Sequence, residues 1–133
     1  MDAQTRQSVW QRAGSRCEYC RLKQEHEMVH SFHVEHIIAL QHRGEDGLHN
    51  LALSCRQCNA YKGPNLVSRD PDTDKAEMLF HPREQAWDEH FLMEGARIVG
   101  LTPAGRTTVW LLRMNSPRRL ALRQMLIEDG EWD

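Results

Sequence analysis

The sequence predicts an α+β fold in one domain spanning residues 1–133. Residues 1–69 form a cysteine-stapled core, a helix followed by a strand–loop–strand–helix unit. Residues 70–133 add a β-hairpin and a closing helix. Three observations carry this expectation. The four cysteines of the chain occur as two C-x2-C pairs divided by a long spacer. Two short runs of strand-forming residues, "FHVEHII" and "LALSC", flank a polar loop with two glycines. The second half alternates apolar runs with turn residues. A chain of 133 residues buries one modest core.

Taken in order, Ala3–Ala13 fits a helix, with Val9, Trp10 and Ala13 on one side and Gly14 as its stop. The turn "CEYC" follows, and the polar segment "RLKQEHEMVHS" leads into the first strand. "QHRGEDGLHN" is a loop, "LALSC" a second strand ending at the second cysteine turn, and "RQCNAYKG" a short helix halted by Gly63-Pro64. Beyond it, "HPREQAWDEHF" predicts a short helix starting near Arg83. "FLMEGARIVGLTPAGRTTVWLL" predicts strands with turns at Gly95 and at Thr102–Gly105. Asn115 or Ser116 caps a last helix with Pro117 at its first position and Leu120, Ala121, Leu122, Met125 and Leu126 as its apolar side.

No run of ~18 apolar residues is present. The charged N-terminal stretch lacks the apolar centre of a secretory signal. A cytoplasmic protein is expected. The net charge of −2 speaks against a broad basic footprint for nucleic acid. Its distribution is uneven: nine Lys/Arg against seven Asp/Glu over residues 1–69, eight against twelve over 70–133. Basic clusters occur at Arg12, Arg16, Arg21 and Lys23, and at Arg113, Arg118, Arg119 and Arg123; a phosphate-binding edge and a solvated helix face are both compatible with them. "DPDTDKAEMLFH" begins like a calcium loop at Asp70, Asp72 and Asp74. It carries Lys75 where the tight turn needs glycine and His81 where the last carboxylate belongs, so it reads as an acidic turn.

In a reducing compartment, paired C-x2-C turns suit tetrahedral zinc better than disulfides. Cys17, Cys20, Cys55 and Cys58 would close a tetrahedron, leaving no open position: a structural site. The spacer Arg21–Ser54 is long enough to fold a unit of its own. Within it, "FHVEHIIAL" sets His33, Glu35 and His36 among apolar residues. Four other histidines, His26, His30, His42 and His49, fall in loops and are expected to be solvated.

The order Glu35-His36, then Asn50 before "LALSC", then "CRQCNAYKG", resembles the HNH endonucleases, whose ββα-metal motif is often buttressed by a four-cysteine zinc. The match covers about residues 10–66. "EGARIVGLTPAGR" extends it toward small stand-alone bacterial members. The resemblance implies a metal-dependent endonuclease acting on DNA and leaving 5′-phosphate and 3′-hydroxyl ends; the residues themselves do not distinguish DNA from RNA. It places Glu35 and Asn59 as ligands of a catalytic cation, His36 as general base and Asn50 as brace of the loop that carries the base. Glu35 and Asn59 replace commoner family residues with oxygen donors, which favours Mg²⁺ or Mn²⁺. Lys62 and Arg56 are candidate phosphate contacts. Because Glu35 and His36 alternate across a strand, the site is expected at the strand's end, facing the start of the helix that follows Cys55. A rival from another class is a zinc-stabilised nucleic-acid-binding module with an inactive site. A RING-type interaction domain would need further ligand pairs that this chain lacks.

Overall fold

A computed structural model describes residues 1–133. Helix α1 (Ala3–Ala13) starts where the Asp2 carboxylate accepts from the Thr5 backbone N–H at 2.7 Å and ends where Gly14 adopts the left-handed conformation, φ 63°. Strands β1 (His33–His36) and β2 (Leu51–Ser54) pair antiparallel with Glu35 opposite Ala52 and His36 opposite Leu51. Helix α2 (Arg56–Lys62) grows directly from the second cysteine turn, with Cys55 as its N-cap.

The second half holds two more antiparallel hairpins, β3 (Val67–Arg69) with β4 (Ala76–Met78), and β5 (Phe91–Glu94) with β6 (Arg97–Gly100). One turn of helix, α3 (Trp87–His90), precedes β5, and α4 (Pro103–Leu111) and α5 (Pro117–Glu128) close the chain. The acidic segment 70–75 is the turn of the first hairpin. Asp70 is buried there and held by Arg106 of α4 at 2.7 Å.

Three expectations change. Thr102–Gly105 is the start of α4: Thr102 caps it, accepting from Gly105 N–H at 3.0 Å, and Pro103 opens it. The β-branched Thr107 and Thr108 misled the strand reading. Thr108 is tolerated in the helix because its hydroxyl donates to Ala104 O and accepts from Phe80 N–H. Gly100 and Gly105 let α4 sit against β6 and the end of α3; a Cβ at Gly105 would lie 2.1 Å from His90 O. The helix expected near Arg83 begins only at Trp87. In α5 the buried residues are Arg119, Arg123 and Leu126, whereas Met125 is half exposed.

One buried cluster takes Val9 from α1, all four cysteines, Leu51–Leu53 from β2, and Phe80, Phe91, Ile98, Leu112 and Met114 from the second half. The two halves therefore share a core. No helix is long and apolar enough to cross a membrane.

Candidate active site

The two C-x2-C turns converge. All four sulfurs are buried and lie within 4.8 Å of one another, with Cys20 and Cys55 Sγ 3.7 Å apart. That spacing is close to the edge, about 3.8 Å, of a tetrahedron around an ion ~2.3 Å from each thiolate. In each turn the second cysteine's N–H points at the first cysteine's sulfur, 3.5 Å away. Burial pushes the Cys17 and Cys58 thiols well up, while the neighbouring thiols draw the Cys20 thiol well down. Four buried sulfurs cannot all ionise without a cation, and a bound cation is what would let them. The donor set fits a closed, structural metal centre.

Arg119 of α5 reaches this centre, where composition placed only a basic edge. Its guanidinium donates to Cys58 Sγ at 3.0 Å and to Leu112 O at 2.8 Å. Burial opposes its charge, but the Cys58, Cys20 and Cys55 sulfurs outweigh that and raise its pKa. Arg123 is likewise buried and donates to Ala96 O and Met114 O. Neither a phosphate-binding edge nor a solvated face therefore includes these two arginines, because their donors are consumed by carbonyls and sulfur. The N-terminal basic cluster is also committed. Arg12 bonds Leu48 O and Leu51 O, Arg16 and Lys23 pair with Asp133, and Arg21 lies over the Trp87 ring.

The second centre lies at the end of β1. Glu35 turns inward and is buried; His36 turns outward and is partly exposed. The loop between them and β2 is pinned by Asn50. Its amide oxygen accepts from Ile38 N–H at 2.8 Å, and its amide nitrogen donates to Ile38 O at 2.9 Å and Glu45 O at 2.8 Å. Gly44 permits this closure, since a Cβ there would fall 1.7 Å from Ile38 O. The pinned loop presents Asp46, whose carboxylate lies 2.7 Å from His36 Nε2. A carboxylate only accepts, so Nε2 carries the proton, and in the neutral imidazole Nδ1 is then the nitrogen with the lone pair. No spacing rule singled out Asp46; "RGEDG" offers two acidic residues, and only the loop's closure selects one.

Lys62 corrects an expectation. It is 2% exposed, and its ammonium donates to Ile37 O at 2.8 Å and lies 3.7 Å from Glu35 Oε2. It is a buried partner of the cation-ligand candidate, with no donor facing substrate. The end of α2, not its start, thus meets Glu35. Burial pushes the Glu35 carboxyl up to about 7, against the pull of Lys62 and Tyr19. Glu35 Oε1 is buried without a hydrogen-bond partner, an oxygen donor of the kind a hard cation takes. Asn59 is half-buried in α2, one turn before Lys62, and its backbone is committed to Cys55 O and Gly63 N–H. Arg56 is exposed at the helix start. His33 is exposed, as a surface residue of β1, but His26 is not solvated. Its side chain is 12% exposed, near Glu131 and Glu25, and its Nδ1 is buried.

Residues 17–65 match the family model described as HNH endonuclease. No curated protein and no solved structure is matched. The matched segment begins at the first metal-centre cysteine and ends just past Lys62, enclosing both centres. Over residues 17–65 the chain is similar to the HNH endonucleases.

Proposed function

We propose that this chain is a metal-dependent endonuclease that hydrolyses DNA phosphodiester bonds, with the four-cysteine centre holding zinc. The observation that carries the proposal is the histidine at the strand's end. Its Nε2 is engaged by Asp46 on an Asn50-braced loop, so its Nδ1 is free to take a proton from water. His36 is the base, Asp46 fixes its ring and tautomer, and Asn50 holds the loop that carries Asp46. Glu35 and Asn59 would hold a Mg²⁺ or Mn²⁺ ion, which would supply Lewis acidity for phosphodiester cleavage. Oxygen donors in both positions support those ions over zinc at this centre. Products with 5′-phosphate and 3′-hydroxyl ends accompany that role. Arg56, exposed at the start of α2, is the remaining candidate for a phosphate contact.

A second reading has a specific observation in its favour. Glu35 is already neutralised by Lys62, which would suit a nucleic-acid-binding module without catalysis. Incubation of the pure protein with supercoiled plasmid separates the two. Nicking with Mg²⁺ or Mn²⁺ that is lost in EDTA, and reduced about 10²–10⁴-fold in His36→Ala, is expected of the enzyme. DNA retention without nicking under any metal supports the module and overturns the nuclease.

A further inference from the structure

The outer face of α2 has no acidic residue and faces solvent. At 100° per residue, Arg56, Ala60, Gln57 and Tyr61 span about 140° of the helix surface. All four are exposed, while Cys58 and Lys62 on the opposite side are buried. The second half brings two more cations to this face. The Arg113 guanidinium lies 4.5 Å from the centre of the Tyr61 ring. Arg118, in the first turn of α5, shares a hollow of about 400 Å³ with Arg56 and Gln57. Arg56, Arg113 and Arg118 are exposed, and the ion pairs of the molecule engage other side chains. The acidic residue lining the hollow is Glu27, whose Oε1 accepts from the N–H groups of Val29 at 3.2 Å and His30 at 3.0 Å.

Arg113 is held in place by its backbone. It follows α4 in the left-handed conformation, φ 51°, which glycine adopts freely and an arginine does not. Its carbonyl accepts from Arg119, whose other terminal nitrogen donates to Cys58 Sγ at 3.0 Å. A turn that suits glycine is thus anchored to the four-sulfur centre and given a cation, which it sets over Tyr61.

We propose that the outer face of α2 binds the backbone of duplex DNA, with Arg56, Arg113 and Arg118 each neutralising a phosphate. The inference rests on the reading of this chain as acting on DNA. It adds that two of the three contacts come from outside the segment matched to the family. Charge selects the partner: three guanidinium groups without an anion, around a helix face that has none. Ala60 in the middle of that face leaves room for close approach. Arg56 and Tyr61 are five residues apart, about 7.5 Å along the axis of α2, over which one DNA strand advances about two phosphates. A focused patch of this kind is compatible with the net charge of −2, which opposes only a broad one.

The test uses the full chain with its four-cysteine metal in place and no added Mg²⁺ or Mn²⁺. Binding to a short fluorescent DNA duplex is followed by anisotropy from about 50 to 200 mM salt. Arg56→Gln, Arg113→Gln and Arg118→Gln are each expected to lower the slope of log affinity against log salt by about 0.9, which is about eightfold weaker binding at ~0.1 M salt. The triple variant should lose about 2.7 from the slope. Arg113→Lys, which keeps the charge, should retain most of it. Lys75→Gln, which removes one charge in the turn of the β3–β4 hairpin, should leave the slope unchanged. Circular dichroism checks that each variant is folded, and where one is not, the other two decide. Slopes that stay unchanged in the three glutamine variants, while the unaltered protein binds DNA, overturn the interface and leave the DNA reading standing. A slope lowered as much by Lys75→Gln shows an effect of net charge alone and also overturns it. An unaltered protein that neither binds nor nicks DNA removes both.

Discussion

The four-sulfur centre and the Glu35–His36 centre are built by the same stretch of chain and differ in how they treat polar atoms. Around the sulfurs, two backbone N–H groups and the Arg119 guanidinium point inward, and the donors are spent. Around Glu35, one carboxylate oxygen and the Tyr19 hydroxyl are buried without partners, and His36 holds a single partner at the protein surface. A saturated buried centre stabilises; an unsaturated one costs stability, and active sites are where such costs are tolerated. The contrast fits the proposed division between a staple and a reactive site better than residue type does, because both centres use ionisable side chains.

Removing the metal from the sulfur centre is the strongest way to break this comparison. Apparent binding to such sites is worth about 10–16 kcal/mol, much of it folding free energy. Stripping the bound metal with a thiol-modifying agent and chelator, or replacing Cys58 by alanine, is expected to abolish cooperative unfolding as followed by circular dichroism. A protein that stays folded without the ion would make the centre dispensable.

Arg119→Met comes next. It deletes the donor to Cys58 and to the carbonyl that ends α4, and should lower stability by about 3 kcal/mol in denaturant melts and speed release of the bound metal to a chromogenic chelator. Unchanged release would show that the guanidinium serves α4 alone.

Asp46→Asn is the smallest change and the sharpest. The side chain is exposed, so stability should move by less than about 0.5 kcal/mol. Plasmid nicking should nevertheless fall by roughly three- to tenfold, because an amide can present either a donor or an acceptor to His36 and no longer fixes its tautomer. Loss of stability with full nicking would reverse the assignment of the two centres.

Much of the core was legible in the sequence. The paired C-x2-C spacing needs only local turn geometry to put two thiolates on one side, so the sulfur centre follows from pattern. The alternation in "HVEH" follows from strand period, whereas Asn50 as loop brace came from the family resemblance. The helices α1 and α5 were legible from Gly14 as a stop and Pro117 as a start. Failures occurred where a long-range partner overrode a local preference. The threonines of α4 prefer strands until Thr102 caps the helix and Phe80 supplies a bond to Thr108.

What the sequence determined by itself was the list of chemical groups, their order along the chain and the two turns that gather the sulfurs, since these depend on contacts a few residues apart. The tertiary structure decided which charges are spent and which are free. Lys62 and Arg119 are ordinary basic residues in the chain, and only packing across 25 and 61 positions turns them inward, onto Ile37 O and Cys58 Sγ. Desolvation depends on everything that surrounds a group, and no pattern of neighbours in sequence encodes that.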